Sequence, residues 1–105
     1  MNLQLLTEEL GKFENLSYVY GSFPDNTEPP YVAYYTTEDN PIFSDGRKVY
    51  AEESVELILV TQKRDLCLEC QLDDMFYKHG VAIKKSMEFD ADQKIHTVTY
   101  NFTVD

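Results

Sequence analysis

The run Val55-Glu56-Leu57-Ile58-Leu59-Val60-Thr61 constrains the fold of this chain more than any other segment. Side chains alternate between the two faces of a strand, so Val55, Leu57 and Leu59 share one face while Ile58 and Val60 occupy the other. A strand that is apolar on both faces belongs in the middle of a sheet, or under cover on both sides. The rest of the chain has to supply its neighbours.

Leu3, Leu6, Leu10 and Phe13 recur at helical spacing and predict an amphipathic helix over 3–14, with Asn2 as N-cap and Gly11 weakening the last turn. A short strand is predicted around 18–23, and Pro24-Asp25-Asn26 and Pro29-Pro30 mark a loop after it. Tyr31–Glu38, rich in Tyr, Val and Thr, reads as a strand broken by Asp39-Asn40-Pro41, and the next strand runs from Ala51 to Thr61. Asp65 is the expected N-cap of a second helix reaching about Lys78, with Gly80 supplying the left-handed stop. Leu68, Leu72, Met75 and Phe76 share one face of that helix. Two last strands, Val81–Phe89 and Lys94–Val104, flank a turn at Asp90-Ala91-Asp92. Val81, Ile83, Met87 and Phe89 are predicted to point inward on the first, and Val98, Tyr100, Phe102 and Val104 on the second. The order α-β-β-β-α-β-β predicts a single α+β domain over 1–105, an antiparallel sheet of four to five strands with two helices packed on one face.

A length of 105 residues suits one domain. A chain of 12.2 kDa buries about two-thirds of its extended surface, enough for one core without metal or disulfide support. Hydrophobic residues at 43%, with eight Tyr and six Phe, exclude a disordered chain. The formal charge of −10 excludes tight binding to a phosphate backbone, which needs counterion release by cations. It also disfavours an anionic membrane surface. Most of the excess falls before Arg47, where Lys12 is the one base. The plain reading is solubility; the functional one is a negative field facing another negative body. Glu8 and Glu9 interrupt any signal-peptide core, and no apolar run approaches a membrane span. Two cysteines in a leaderless sequence fit a reducing compartment, so synthesis in a cytoplasm without secretion is expected.

Catalytic signals are weak. Cys67-Leu68-Glu69-Cys70 has the spacing of a redox couple or half a zinc site, yet the βαβ context of a redox motif is missing and only His79 and His96 remain as further ligands. Both cysteines fall opposite the Leu72 face, beside Asp74 and Tyr77, so they are expected to be exposed or to face a partner. His79 suits a helix C-terminus, and His96 has no nucleophile at a suggestive spacing. Glu52-Glu53 and Asp73-Asp74 are adjacent pairs whose members point to different sides. Asp90-Ala91-Asp92 is too short for a calcium loop, and four scattered glycines make no phosphate loop. No catalytic residue, cofactor or metal is expected.

Aromatic and apolar residues outside the core are more informative. Tyr31, Tyr34 and Tyr35 occupy both faces of one strand, so at least one lies outside the main core. Ile42, Phe43, Val49 and Tyr50 surround Asp45-Gly46, a strong hairpin signal, where solvated residues would be ordinary. An excursion that is apolar outside the core is a candidate protein contact; the alternative is that it packs back on its own sheet.

Pro29-Pro30-Tyr31-Val32-Ala33-Tyr34, Phe43-Ser44-Asp45 leading to Val49-Tyr50, and the block from Val55 to Asp65 resemble a family of small structural proteins of long-tailed phages and prophages of Gram-positive hosts. These are the tail terminator, tail completion or head–tail joining proteins. The resemblance covers roughly residues 18–104 and is most detailed over 29–76. It implies a non-catalytic virion protein of the tail or neck, closing as a homo-oligomeric ring, a hexamer, on the end of the tail tube. Its implied partners are further copies of itself, the tail tube protein and the head–tail connector, with no direct nucleic-acid or membrane binding. In the family pattern Cys67 and Cys70 occupy ordinary polar helix positions. A closed ring needs two different patches per subunit; Tyr35, Ile42, Phe43, Val49 and Tyr50 are candidates for one, and Cys70 and Tyr77 on the second helix for the other. Acidity then keeps passing DNA from adhering to the ring. The competing reading is a small acidic DNA mimic that inhibits a nucleic-acid enzyme; acids scattered over helices, turns and strands weaken it.

Overall fold

The computed structural model describes residues 2–13, 16–21, 29–44 and 47–104, and over 38–44 and 47–52 it describes the backbone. Helix α1 (Leu3–Leu10) is capped by the Asn2 side chain, which accepts from the Leu5 N–H at 2.8 Å. It ends at Leu10, four residues sooner than the spacing predicts; the chain leaves the helix through a turn that still tucks Phe13 against the core. Strands β1 (Ser17–Tyr20), β2 (Tyr31–Ser44) and β3 (Arg47–Thr61) follow. Helix α2 (Leu66–Lys78) then precedes β4 (Lys84–Asp90) and β5 (Ile95–Val104). The predicted loop at Pro24-Asp25-Asn26 and the end of the predicted 18–23 strand lie outside the described residues.

The fold is α+β, a five-stranded sheet in the order β1-β2-β3-β5-β4 with two helices. As the two-sided apolar run requires, β3 is central, bonded to β2 and β5. One feature departs from the antiparallel expectation: β1 pairs with β2 in parallel, Ser17 beside Tyr31 and Tyr20 beside Tyr34. Ten residues separate those strands. That is too many for a tight hairpin and enough to return along a four-residue strand about 13 Å long.

Both helices lie on one face. Leu6 and Leu10 of α1 and Leu72 and Phe76 of α2 join Val32, Leu57, Leu59 and Tyr100 in a single buried cluster. The Phe76 ring sits 5.6 Å from that of Tyr100 and 4.7 Å from that of Phe102. Among the described residues no helix lies on the other face, where Ala33, Ile58 and Thr99 form a half-buried row across β2, β3 and β5. Val60 on that face is buried, flanked by Tyr31 and Thr97 on the neighbouring strands.

The inward residues of β5 are buried as predicted, but those of the preceding segment divide. Val81 and Ile83 pack on the core before β4 begins. Met87 and Phe89 are 54% and 57% exposed. They do lie on the helix side of the sheet, paired with Val98 and His96. They stay exposed on the edge strand, whose ties to α2 among the described residues run through Lys85.

β2 and β3 outgrow the rest of the sheet. Pairing with β5 ends at Glu53–Val104, yet β2 and β3 stay bonded to each other through Ser44–Arg47. The resulting arm gives extents of 53 × 27 × 21 Å and a radius of gyration of 15.1 Å, against about 13 Å for a compact chain of this length. The accessible surface of 7093 Å² likewise exceeds the roughly 6,000 Å² expected of a compact monomer.

Candidate functional site

The arm contains four of the residues that the sequence marks as a contact. Ile42 lies opposite Tyr50 and Phe43 opposite Lys48; the register slips between them, leaving Val49 as the extra residue of a bulge. The Asp45-Gly46 turn lies outside the described residues. A two-stranded ribbon is at best marginally stable alone in water, and this one is paired past the end of β5. Four carboxylate-bearing residues, Glu38, Asp39, Glu52 and Glu53, gather at its root, with Asp39 directly opposite Glu53. Like charges directly opposite one another disfavour pairing, and Glu53 accepts from Thr36 Oγ1 at 3.1 Å.

Tyr35 sits just below this root on the face without helices. It is half-buried, and its hydroxyl donates to the Glu56 carboxylate across the strand pair. That bond, with burial and the negative charge of Glu56 adding to it, raises the phenol above its ordinary pKa. Tyr34 faces the core, where its hydroxyl meets Thr7 Oγ1 at 2.6 Å. The alternating tyrosines thus divide between core and open face as their spacing requires.

Cys70 and Tyr77 lie on α2, in the layer opposite Tyr35, so the structure does not unite the candidates into one surface. Seven residues apart, they share a face of the helix. Cys67 and Cys70 are free and exposed, and Tyr77 is 86% exposed. Asp65 caps the helix, accepting from the Leu68 N–H at 3.0 Å.

A buried ionic tie was not legible in advance. Glu69 is 3% exposed, with Arg64 Nε at 3.3 Å from Oε2 and Lys85 Nζ at 3.4 Å from Oε1. Lys85 also meets Asp73 at 3.3 Å and lies 5.5 Å from the centre of the Tyr100 ring. Burial, then the charges of Asp73 and Glu69, push the Tyr100 hydroxyl far up. This cluster fastens edge strand β4 to α2. Glu69 and Asp73, one helical turn apart, were the available sign that a cation would be drawn to that face.

A groove of about 660 Å³ runs between the helices, bordered by Glu9, Lys12, Asp74 and Lys78. Glu9 accepts from Lys12 Nζ at 3.0 Å, and His79 Nε2 lies 3.5 Å away. No nucleophile is paired with a base there. Among the described residues no three His, Cys, Asp or Glu side chains converge as metal ligands, and no helix is long and apolar enough to cross a membrane. What the architecture offers is contact surface: an arm, an open tyrosine-bearing face, and an uncovered apolar patch on β4. No family model matches the chain, and no curated protein proves similar to it.

Proposed function

We propose that this chain is a self-assembling structural protein without catalysis, a tail terminator or head–tail joining component that closes as a ring at the end of a phage tail tube. The observation that carries the reading is the arm, paired backbone extending six residues past the last partner on β5, with Ile42, Phe43, Val49 and Tyr50 in it. A two-stranded extension past the rest of the sheet, with apolar residues in its sequence, is suited to a neighbouring subunit. The −10 charge suits a ring through which DNA passes without adhering.

Native mass spectrometry or light scattering over a wide concentration range tests this directly. The full chain is expected to give a closed oligomer near six copies. A version with residues 42–50 replaced by Asn-Gly keeps the Pro41–Ala51 pair and is expected to remain a folded monomer. A full chain that stays monomeric at every concentration overturns the reading in favour of the acidic DNA mimic.

A further inference from the structure

We propose that Cys67 and Cys70 form a two-coordinate site for a soft monovalent metal ion, Cu(I), on the outer face of α2. The site lies within one chain and does not depend on whether copies assemble.

Cysteine is among the residue types most often buried, yet both of these are free and exposed. The helix fixes how they are presented. The Asp65 side chain accepts from the Leu68 N–H at 3.0 Å, and its carbonyl accepts from the Glu69 N–H at 3.1 Å. Cys67 therefore lies inside the first turn of α2, past the cap, and Cys70 opens the second. Leu68, Glu69 and Leu72 are buried on the inward side, which holds these turns against the sheet. Residues three apart on such a helix share a face, with Cβ atoms about 5–6 Å apart.

That separation selects the chemistry. A disulfide needs Cβ atoms about 3.5–4.5 Å apart, so closing one would pull the capped turn out of helical geometry. Two metal–sulfur bonds of about 2.3 Å, the zinc–thiolate length, span about 4.6 Å between sulfurs when in line. Thiolates on adjoining turns reach that span with the backbone left helical. The number of donors then chooses the ion. Thiolate is soft and selects Cu(I), Zn(II) or iron–sulfur clusters. Zinc and the clusters call for four ligands, and among the described residues no third His, Cys, Asp or Glu side chain converges with this pair. Cu(I), with a filled d shell and a single charge, needs only two thiolates in line. Binding breaks two S–H bonds, forms two Cu–S bonds and releases two protons, and the copper keeps its oxidation state. The complex carries one net negative charge, which the first turns of a helix favour.

The test is competition for copper. The reduced full chain is titrated, without oxygen, into Cu(I) held by bicinchoninate; loss of the coloured chelate reports affinity, and native mass spectrometry counts ions per chain. One Cu(I) per chain is expected. Cys67→Ser and Cys70→Ser change exposed positions, and circular dichroism checks that each folds. Each is expected to bind at least about a hundredfold more weakly, because the second bond is no longer formed within the chain. An unmutated chain that takes no copper from the chelate overturns the site, as does a single variant that binds equally tightly. Copper held only as one ion between two chains overturns it in favour of four thiolates shared between copies. The oligomeric state of the metal-free chain tests the assembly reading separately.

Discussion

β3 passes through two environments, and the contrast separates folding from assembly. From Val55 to Thr61 it is bonded to β2 on one side and β5 on the other, with Val55, Leu57 and Leu59 sealed under the helices. From Arg47 to Glu52 the same strand is bonded to β2 alone. Backbone pairing therefore distinguishes the regions: the body's part of β3 is bonded along both edges and the arm's part along one. The body adds burial under the helices, which supplies most of the free energy that offsets chain entropy, whereas a two-stranded ribbon has at most marginal stability of its own. Substitutions in the body should therefore change unfolding, and those in the arm should change association.

The largest effect is expected at the centre of the body. Phe76 is 1% exposed and packs on both Tyr100 and Phe102. Phe76→Ala should cost about 3–5 kcal/mol in urea denaturation, through lost transfer energy and the cavity left behind. Ile42→Ala in the arm is expected to change monomer unfolding by less than about 0.5 kcal/mol while weakening association. Equal losses at the two positions would erase the distinction between body and arm.

A smaller effect is expected where the body holds its own edge. Lys85→Met removes the ammonium between Glu69 and Asp73, leaving a 3%-exposed carboxylate with Arg64 as its remaining cation. The expected cost is about 1–3 kcal/mol, below that of a fully buried pair because Lys85 is partly solvated. Combining it with Glu69→Gln should cost less than the two single changes added, the sign of a direct interaction. Strict additivity would mean that β4 is held by its ladder with β5 alone.

How much of this was legible depended on whether a feature is periodic or contextual. The two helices and the central place of β3 follow from spacing, because Leu68, Leu72 and Phe76, or Val55, Leu57 and Leu59, fall on one face by geometry alone. Ile42, Phe43, Val49 and Tyr50 stood out as apolar residues around a turn signal, and Tyr35 through the placing of Tyr31, Tyr34 and Tyr35 on both faces of one strand. Alternation at Met87 and Phe89 correctly gave the face they share with Val98. It could not tell that the helix above stops short of them, since cover is a property of a different segment. The parallel pairing of β1 was hidden for the same reason: a four-residue strand carries no mark of direction. The buried state of Glu69 also needed Arg64 and Lys85, which approach it from either side of the helix in sequence.

The mildest test concerns a charge that belongs to the body. The Glu9 side chain is 10% exposed, and its hydrogen bond from Lys12 holds the carboxyl below its usual range. Burial opposes this, while the charges of Lys12, Lys78 and His79 reinforce it. Below its folded pKa the group is protonated in both states and contributes nothing. Above the unfolded value, about 4.3, it is charged in both and contributes its full share. Stability from Glu9 is thus present at neutral pH and is lost as the pH falls from the unfolded value, about 4.3, through the lowered folded value. Glu9→Gln cannot titrate, so the difference in Tm between the unmutated chain and this variant should be constant above pH 5 and shrink below it. Comparing the two removes the relief of general acidic repulsion that both share. Because Glu9 sits between the helices, replacing residues 42–50 by Asn-Gly should leave the profile unchanged. A difference that stays level down to pH 2 would mean that the Lys12 contact contributes nothing to the fold, and a profile that changes on removal of the arm would mean that arm and body do not act independently.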